Sequence, residues 1–191
     1  MRAARRAEGE GRCADCDVAG GLVLSRDFFA RPADVVACEL LGKALVREHA
    51  GQRVSFVIHE TEAYMGPHDL ACHAAKGRTR RTETLFGEPQ TLYVYLIYGI
   101  YWMLNVVVER EGYPAGVLLR GVKGVAGPGR LGRALTLDGT FNGLMASPMH
   151  GLWFEDSGFV PKRGAIMRTA RIGVDYAGPI WAAKKLRFVL R

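Results

Sequence analysis

Long apolar runs are missing from this sequence. No stretch approaches the roughly 18 apolar residues of a membrane-spanning helix. The longest candidate, residues 92–108, is broken by Tyr98-Gly99 and by Asn105. The first residues bring Arg2, Arg5, Arg6 and Glu8 with no apolar segment behind them, so no secretory signal and no membrane partner are expected. Cysteine is scarce. Cys13, Cys16, Cys38 and Cys72 make no dense disulfide framework, which suits a reducing cytoplasmic setting. Cys13-Ala-Asp-Cys16 has the spacing of half a zinc site, but no second CxxC or HxxxH completes it, and two free thiols is the plainer reading. No G-x-S-x-G elbow occurs. The glycines at 121, 124, 127, 129 and 132 fit neither a P-loop nor a dinucleotide fingerprint. Internal repeats are absent as well.

What is present is ordinary in amount and unusual in placement. The chain has 191 residues, 49% hydrophobic and 24% charged, enough for one domain with its own core. Its 26 Lys+Arg against 19 Asp+Glu leave a net +7, which points toward a polyanionic partner without specifying one. Residues 1–20 are polar, Gly/Arg-rich and aperiodic and read as a poorly ordered tail, with the domain running over 21–191. Pro32 opens a predicted helix with Val35, Val36, Leu40 and Leu41 as its apolar face and Gly42 as its stop. Strands are expected over 43–48, 54–64, 92–97, 100–108, 117–120, 166–174 and 186–190. Short helices are expected at 131–137 and after Pro179. This mixture implies a single α+β domain around a curved antiparallel sheet.

Three segments invite chemistry. Period two carries Glu60, Glu62 and Tyr64 onto the face of Val54, Phe56 and Ile58, so two carboxylates end an apolar stripe. Either they are buried and paired, or the strand bulges and both reach solvent; spacing leaves both open. Tyr98-Gly99 sits at the turn of an aromatic-rich hairpin with Tyr93, Tyr95, Tyr101 and Trp102. A turn tyrosine is either plain surface or a wedge between base pairs. His59, Glu60, Glu62, His68, Asp69, Cys72 and His73 crowd fifteen residues but match no established metal-ligand spacing. Two basic features add possible phosphate contacts: the run Lys76-Gly-Arg78-Thr-Arg80-Arg81 in a long loop, and Gly127-Pro-Gly129-Arg130 before a helix.

In their order along the chain, these blocks resemble the alkyladenine (3-methyladenine) DNA glycosylase family of base-excision repair. The resemblance runs from Leu22 to the C-terminus. It rests on Glu60-Thr-Glu-Ala-Tyr64 with Gly66-Pro67 and His73, Gly77-Arg-Thr-x-Arg81, Tyr93-Val-Tyr-x-Ile-Tyr-Gly99 with Asn105, Val117-Leu-Leu-Arg120, Gly127-Pro-Gly-Arg-Leu131 and Arg171-Ile-Gly-Val174.

The resemblance implies an α+β domain whose protruding hairpin enters the DNA minor groove, and a monofunctional hydrolysis that leaves an abasic site. By position, Glu62 matches the base that activates water, and Arg120 a residue holding that water and a phosphate. Tyr64, Tyr95 and His73 match the walls around a flipped base. Asn105 matches the residue that resists guanine, and Tyr98 the one that fills the gap in the duplex. The carbonyl near Val174 is implied to touch the water, and Arg78, Arg81, Gly129 and Arg130 are expected on DNA. No metal and no cofactor are implied. The expected partner is double-stranded DNA with damaged purines, bound by a monomer in the cytoplasm, nucleoid-associated if bacterial. Arg120-Gly-Val-Lys-Gly124 departs from the family's usual Arg-Ala-Leu-Glu-Pro, and the loop after it is shorter. Two other readings are a lesion-recognition protein that flips bases without cutting and a metal hydrolase using His68 and His73.

Overall fold

A computed structural model describes residues 21–191. The expected tail and the Cys13/Cys16 pair lie outside the described residues. In chain order the elements are β1 (Leu22–Val23), α1 (Arg26–Phe29), α2 (Ala33–Glu39), β2 (Ala44–His49), β3 (Gln52–Tyr64), β4 (Leu92–Ile97), β5 (Tyr101–Val108), β6 (Ala115–Val122), β7 (Val125–Ala126), α3 (Pro128–Ala134), β8 (Leu152–Asp156), β9 (Ile166–Thr169), α4 (Gly178–Ala183) and β10 (Arg187–Leu190).

All strand pairs are antiparallel and form one open sheet in the order β1-β8-β2-β3-β6-β5-β4. The far end of β3 also pairs with β10, which in turn carries β9. The α+β class expected from sequence is the class observed. Beneath one face lies the main core, where Phe29, Leu40, Leu45, Ile58, Leu104, Leu119, Leu131, Phe154 and Phe188 are fully buried. The Thr61 hydroxyl donates to the Ala37 carbonyl at 2.7 Å and pins α2 to β3. Gly132 is required for close packing: a Cβ there would collide with the Trp102 carbonyl of β5.

Several boundaries differ from the sequence expectation, each for a local reason. Val35, placed on the apolar face of the first helix, is 37% exposed, while Val36 and Ala37 are buried. The helix expected at 131–137 begins at Pro128, which occupies its first turn and needs no N–H partner there. The strand expected over 166–174 stops at Thr169, because the Arg171 side chain turns fully inward and Gly173 takes a left-handed φ of 74°. Strand β8 was not anticipated from sequence. The long loop 65–90 holds two single 3-10 turns, His73–Lys76 and Glu83–Phe86.

The largest correction concerns β3. Ile58 faces Val122 and Glu60 faces Gly121, so His59 is an extra residue opposite none on β6. That bulge reverses the alternation. Ile58, Thr61 and Ala63 turn to the core, while Glu60, Glu62 and Tyr64 turn to the opposite face. The apolar stripe and the carboxylates therefore do not share a face, as unbroken period two had them. Nor do the carboxylates reach solvent: Glu62 is 0% and Glu60 8% exposed.

Candidate active site

Directly opposed residues of antiparallel strands project to the same side of a sheet. The register aligns Arg187 of β10, Glu62 of β3, Leu118 of β6, Asn105 of β5 and Tyr93 of β4 in one row across five strands. One step along β4 and β5, Tyr95 faces Met103. A compensating bulge on β6 makes Arg120 the extra residue between Leu119 and Gly121 and aims it at the two carboxylates. Above this row opens a cavity of ≈ 460 Å³ lined by Tyr64, His73, Tyr93, Tyr95, Asn105, Leu118, Arg120 and Val174, among others. A larger hollow of ≈ 860 Å³ lies between α2 and residues 159–164, but it gathers none of the candidate site residues. Convergent polar groups against aromatic walls favour the smaller cavity as the site.

Glu62 sits directly behind the wall of that cavity and does not itself line it. Its Oε1 accepts from the Ile172 amide at 2.8 Å and lies 3.4 Å from Arg120 Nη1. Its Oε2 accepts from the Tyr64 hydroxyl at 3.0 Å. All three donors line the cavity. Burial pushes the Glu62 carboxyl above its usual range, against the lowering pull of Arg120 and the hydrogen bonds. Glu60 has the opposite balance. Burial pushes it up too, but the Arg187 and Arg120 guanidiniums, at 2.7 and 2.9 Å from its Oε1, outweigh that and hold it below the ordinary range. Two glutamates two residues apart thus differ in proton affinity because Glu62 is the more deeply buried and has one distant guanidinium edge, while two guanidiniums hold Glu60.

His73 closes the aromatic side. Its Nδ1 lies 3.0 Å from the Tyr93 hydroxyl, and its ring meets Tyr95 edge-on at 4.8 Å. Burial, aided by Arg81, holds the imidazole below its usual value and so neutral. The Asn105 amide donates to the Tyr93 carbonyl at 3.1 Å, which fixes its orientation in the wall. Val174 is buried at the cavity edge, and its carbonyl already accepts from the Ala177 amide at 2.9 Å. Cys72 is no nucleophile, since burial pushes its thiol up to about 11.

The residues expected on DNA stand on three separate segments: the β4–β5 turn, the 65–90 loop and the start of α3. Tyr98 caps the β4–β5 turn, 84% exposed. Arg81 packs over the Tyr95 ring at 5.3 Å, at the cavity. Arg78 forks onto Glu83 at the surface and lies over Phe86. Arg130 is exposed in the first turn of α3, and Gly129 packs against the Tyr101 ring. The His/acid cluster is pulled apart: His68 meets Tyr113, Asp69 pairs with Arg171, and His73 meets Tyr93. Among the described residues no three His, Cys, Asp or Glu side chains converge as metal ligands.

Sequence reading missed the Asp69–Arg171 pair, the Arg187 partner of Glu60 and the floor residues Met103 and Leu118. Arg171 stood in a matched block, but its pairing over a hundred positions away has no local signal. The floor residues follow only from cross-strand register.

Residues 27–191 match the family described as "Methylpurine-DNA glycosylase (MPG)". Similar proteins include three named "Putative 3-methyladenine DNA glycosylase". That of Myxococcus xanthus is 49% identical, covering 88% of this chain and 90% of the relative. That of Methanocella arvoryzae is 44% identical, covering 82% and 86%. That of Legionella pneumophila strain Lens is 40% identical, covering 88% and 94%.

Proposed function

The chain belongs to the methylpurine-DNA glycosylase family, and from that premise we propose that it extrudes an alkylated purine from duplex DNA and hydrolyses its N-glycosidic bond with water activated by Glu62. Membership makes it a DNA glycosylase, a hydrolase of N-glycosyl bonds. The finer steps are the reading proposed here. The observation that carries it is a buried, proton-avid carboxylate directly behind an aromatic cavity, held by three donors that all line that cavity. A carboxylate pushed upward toward neutral pH is a stronger base than an exposed one.

The steps follow from the same geometry. Extrusion costs a few kcal/mol and is offset by phosphate contacts, for which Arg78, Arg81, Arg130 and the Gly129 amide are the candidates. Tyr98 holds the gap in the duplex. The faces of Tyr64 and Tyr95 attract a cationic methylated base by about 0.5–2 kcal/mol, with neutral His73 closing the side. Asn105, held by the Tyr93 carbonyl, stands against the exocyclic amine of guanine. Water reaches Glu62 when Arg120 or the Tyr64 hydroxyl releases a carboxylate oxygen, as Arg120 does on turning toward the flanking phosphate. The water loses a proton to Glu62, its oxygen bonds to the sugar carbon, and the base leaves with the glycosidic electron pair. Among the described residues no lysine lines the cavity, which supports a route without a Schiff base that ends at an abasic site.

The test is Glu62→Gln in single-turnover excision from a duplex with one methylated purine, read by alkaline cleavage. Duplex binding is expected to persist while excision falls by about 10²–10⁴-fold. Excision within a few-fold of wild type removes Glu62 as the base. Wild-type protein that binds the lesion without cutting it favours a recognition protein instead.

A further inference from the structure

Behind Tyr64, on the side away from the cavity, lies an ion pair that the hydrolytic mechanism does not use. Arg171 and Asp69 have fully buried side chains. Arg171 Nη1 and Nη2 donate to Asp69 Oδ2 and Oδ1 at 2.5 and 2.8 Å, and Nη1 also donates to the Ala63 carbonyl at 2.9 Å. Asp69 accepts in addition from the amides of Met65 and Ala71, both at 3.0 Å. The guanidinium carbon stands 4.8 Å from the centre of the Tyr64 ring. The next residue, Ile172, is the one whose amide holds Glu62.

We infer that the Asp69–Arg171 pair is a positioning device for Glu62: it fixes the Ile172 amide on Oε1, supports Tyr64 and its hydroxyl on Oε2, and sets by its charge balance how readily Glu62 accepts a proton. The inference rests on the reading of Glu62 as the base. Three observations carry it. Residues 63, 64 and 171 are tied together by one guanidinium, and the Tyr64 hydroxyl and the Ile172 amide, which touch Glu62 from outside β6, both hang from that knot. The knot is what ends the β9 strand early, so that backbone at 170–173 is free to turn an amide toward Glu62. And the pair is not built for stability alone: Arg171 Nε is buried without a hydrogen-bond partner among the described residues, a cost that a well-packed apolar pair would avoid.

The charges facing Glu62 come from each neighbouring element. Arg120 approaches from β6, and Glu60 of β3 shares that guanidinium and pairs with Arg187 of β10. Tyr64 donates from β3, Tyr95 stands on β4, and Tyr176 and Arg171 belong to the segment after β9. Of these, Arg171 is the cation whose effect on Glu62 its own partner, Asp69, offsets. Removing one member or the other therefore changes the field at Glu62 in opposite senses.

The experiment is the pH dependence of single-turnover excision by the full chain on a duplex with one permanently cationic methylated purine, whose own protonation cannot shape the acid limb. Arg171→Met removes a cation, and its acid limb is expected to move up by about half a pH unit or more; Asp69→Asn leaves that cation uncompensated, and its limb is expected to move down. Arg171→Lys keeps the charge without the fork. Its limb is expected to stay near wild type while its plateau rate falls about ten-fold or more with duplex binding retained. A purely structural role would lower plateaus without moving the limbs apart. Limbs that shift together or not at all overturn the inference, as does an Arg171→Lys plateau equal to wild type should the other two variants not fold. If wild type does not excise, or Glu62→Gln excises normally, the reading of the site fails first; with those controls as expected, unmoved limbs count against the pair alone.

Discussion

At the scale of residues, Glu60 and Glu62 show how placement decides chemistry. They are the same side chain two positions apart on one strand, both almost wholly buried. Glu60 lies under two guanidiniums and stays a salt-bridge carboxylate. Glu62 has one more distant guanidinium edge and stays avid for a proton. This carries a stability signature. Below the ordinary carboxylate value Glu62 is neutral in folded and unfolded chains alike. As pH rises, the unfolded chain ionises first, so the folded state loses stability until its own raised value is passed. Glutamine does not titrate. Glu62→Gln should therefore gain in melting temperature relative to wild type between mildly acid and neutral pH, by about 2–4 °C for each kcal/mol in a chain of this size. Thermal melts across that range check it; a difference that ignores pH, or shrinks as pH rises, contradicts the raised Glu62.

At the scale of elements, the β4–β5 hairpin combines a rigid base with a bare tip. Alternation along β4 and β5 sends Leu92, Val94, Leu104 and Val106 to the core, and Tyr93, Tyr95, Met103 and Asn105 to the cavity. At the turn, Tyr98 and Gly99 take left-handed φ values of 53° and 71°, and the Ile100 amide closes onto the Ile97 carbonyl at 3.2 Å. Glycine suits such a conformation, and a tyrosine in it carries strain. With Leu96 and Ile100 also exposed, the tip presents apolar surface that none of the described residues covers. Such strain at an exposed tip points to a use outside the folded chain. Tyr98→Ala should reduce the flipped population of a fluorescent base analogue at the lesion by about ten-fold, since each unstacked base costs a few kcal/mol. Binding to undamaged duplex, which rests on phosphate contacts, should change little. An unaltered flipping equilibrium would mean the tip is not the wedge.

At the scale of the whole molecule, the sheet disperses what the sequence crowds. His59, His68, Asp69, Cys72 and His73 sit within fifteen positions of one another, yet His68 meets Tyr113, Asp69 meets Arg171, Cys72 meets the Pro114 carbonyl and His73 meets Tyr93, while His59 packs against Gly121. Of these only Cys72 and His73 line the cavity, whose other walls come mainly from β3, β4, β5, β6 and the segment after β9. Excision is accordingly expected to keep its rate, within about two-fold, after dialysis against a strong chelator, because among the described residues no ligand set of the usual kind is assembled. Loss of activity on chelation, with return on adding zinc, would require a metal role.

The sequence by itself determined the α+β class, most strand positions, the hairpin with Tyr98 at its turn, and the family, because period two, turn chemistry and ordered blocks are local or nearly so. It also named Tyr64, His73, Tyr95, Tyr98, Asn105, Arg120 and Val174, all of which line the cavity. The tertiary structure alone decided which way they face. Unbroken alternation puts Glu60 and Glu62 behind Ile58; a single extra residue, His59, reverses them, and its counterpart, Arg120, is aimed at them by a second bulge. Neither bulge is visible in one strand, since it is defined only by the partner's register. Likewise Arg171 reads as part of a strand over 166–174 until Asp69, 102 positions away, turns it inward. What sets the site is cross-strand registration and long-range charge pairing, and these exist only once the sheet has formed.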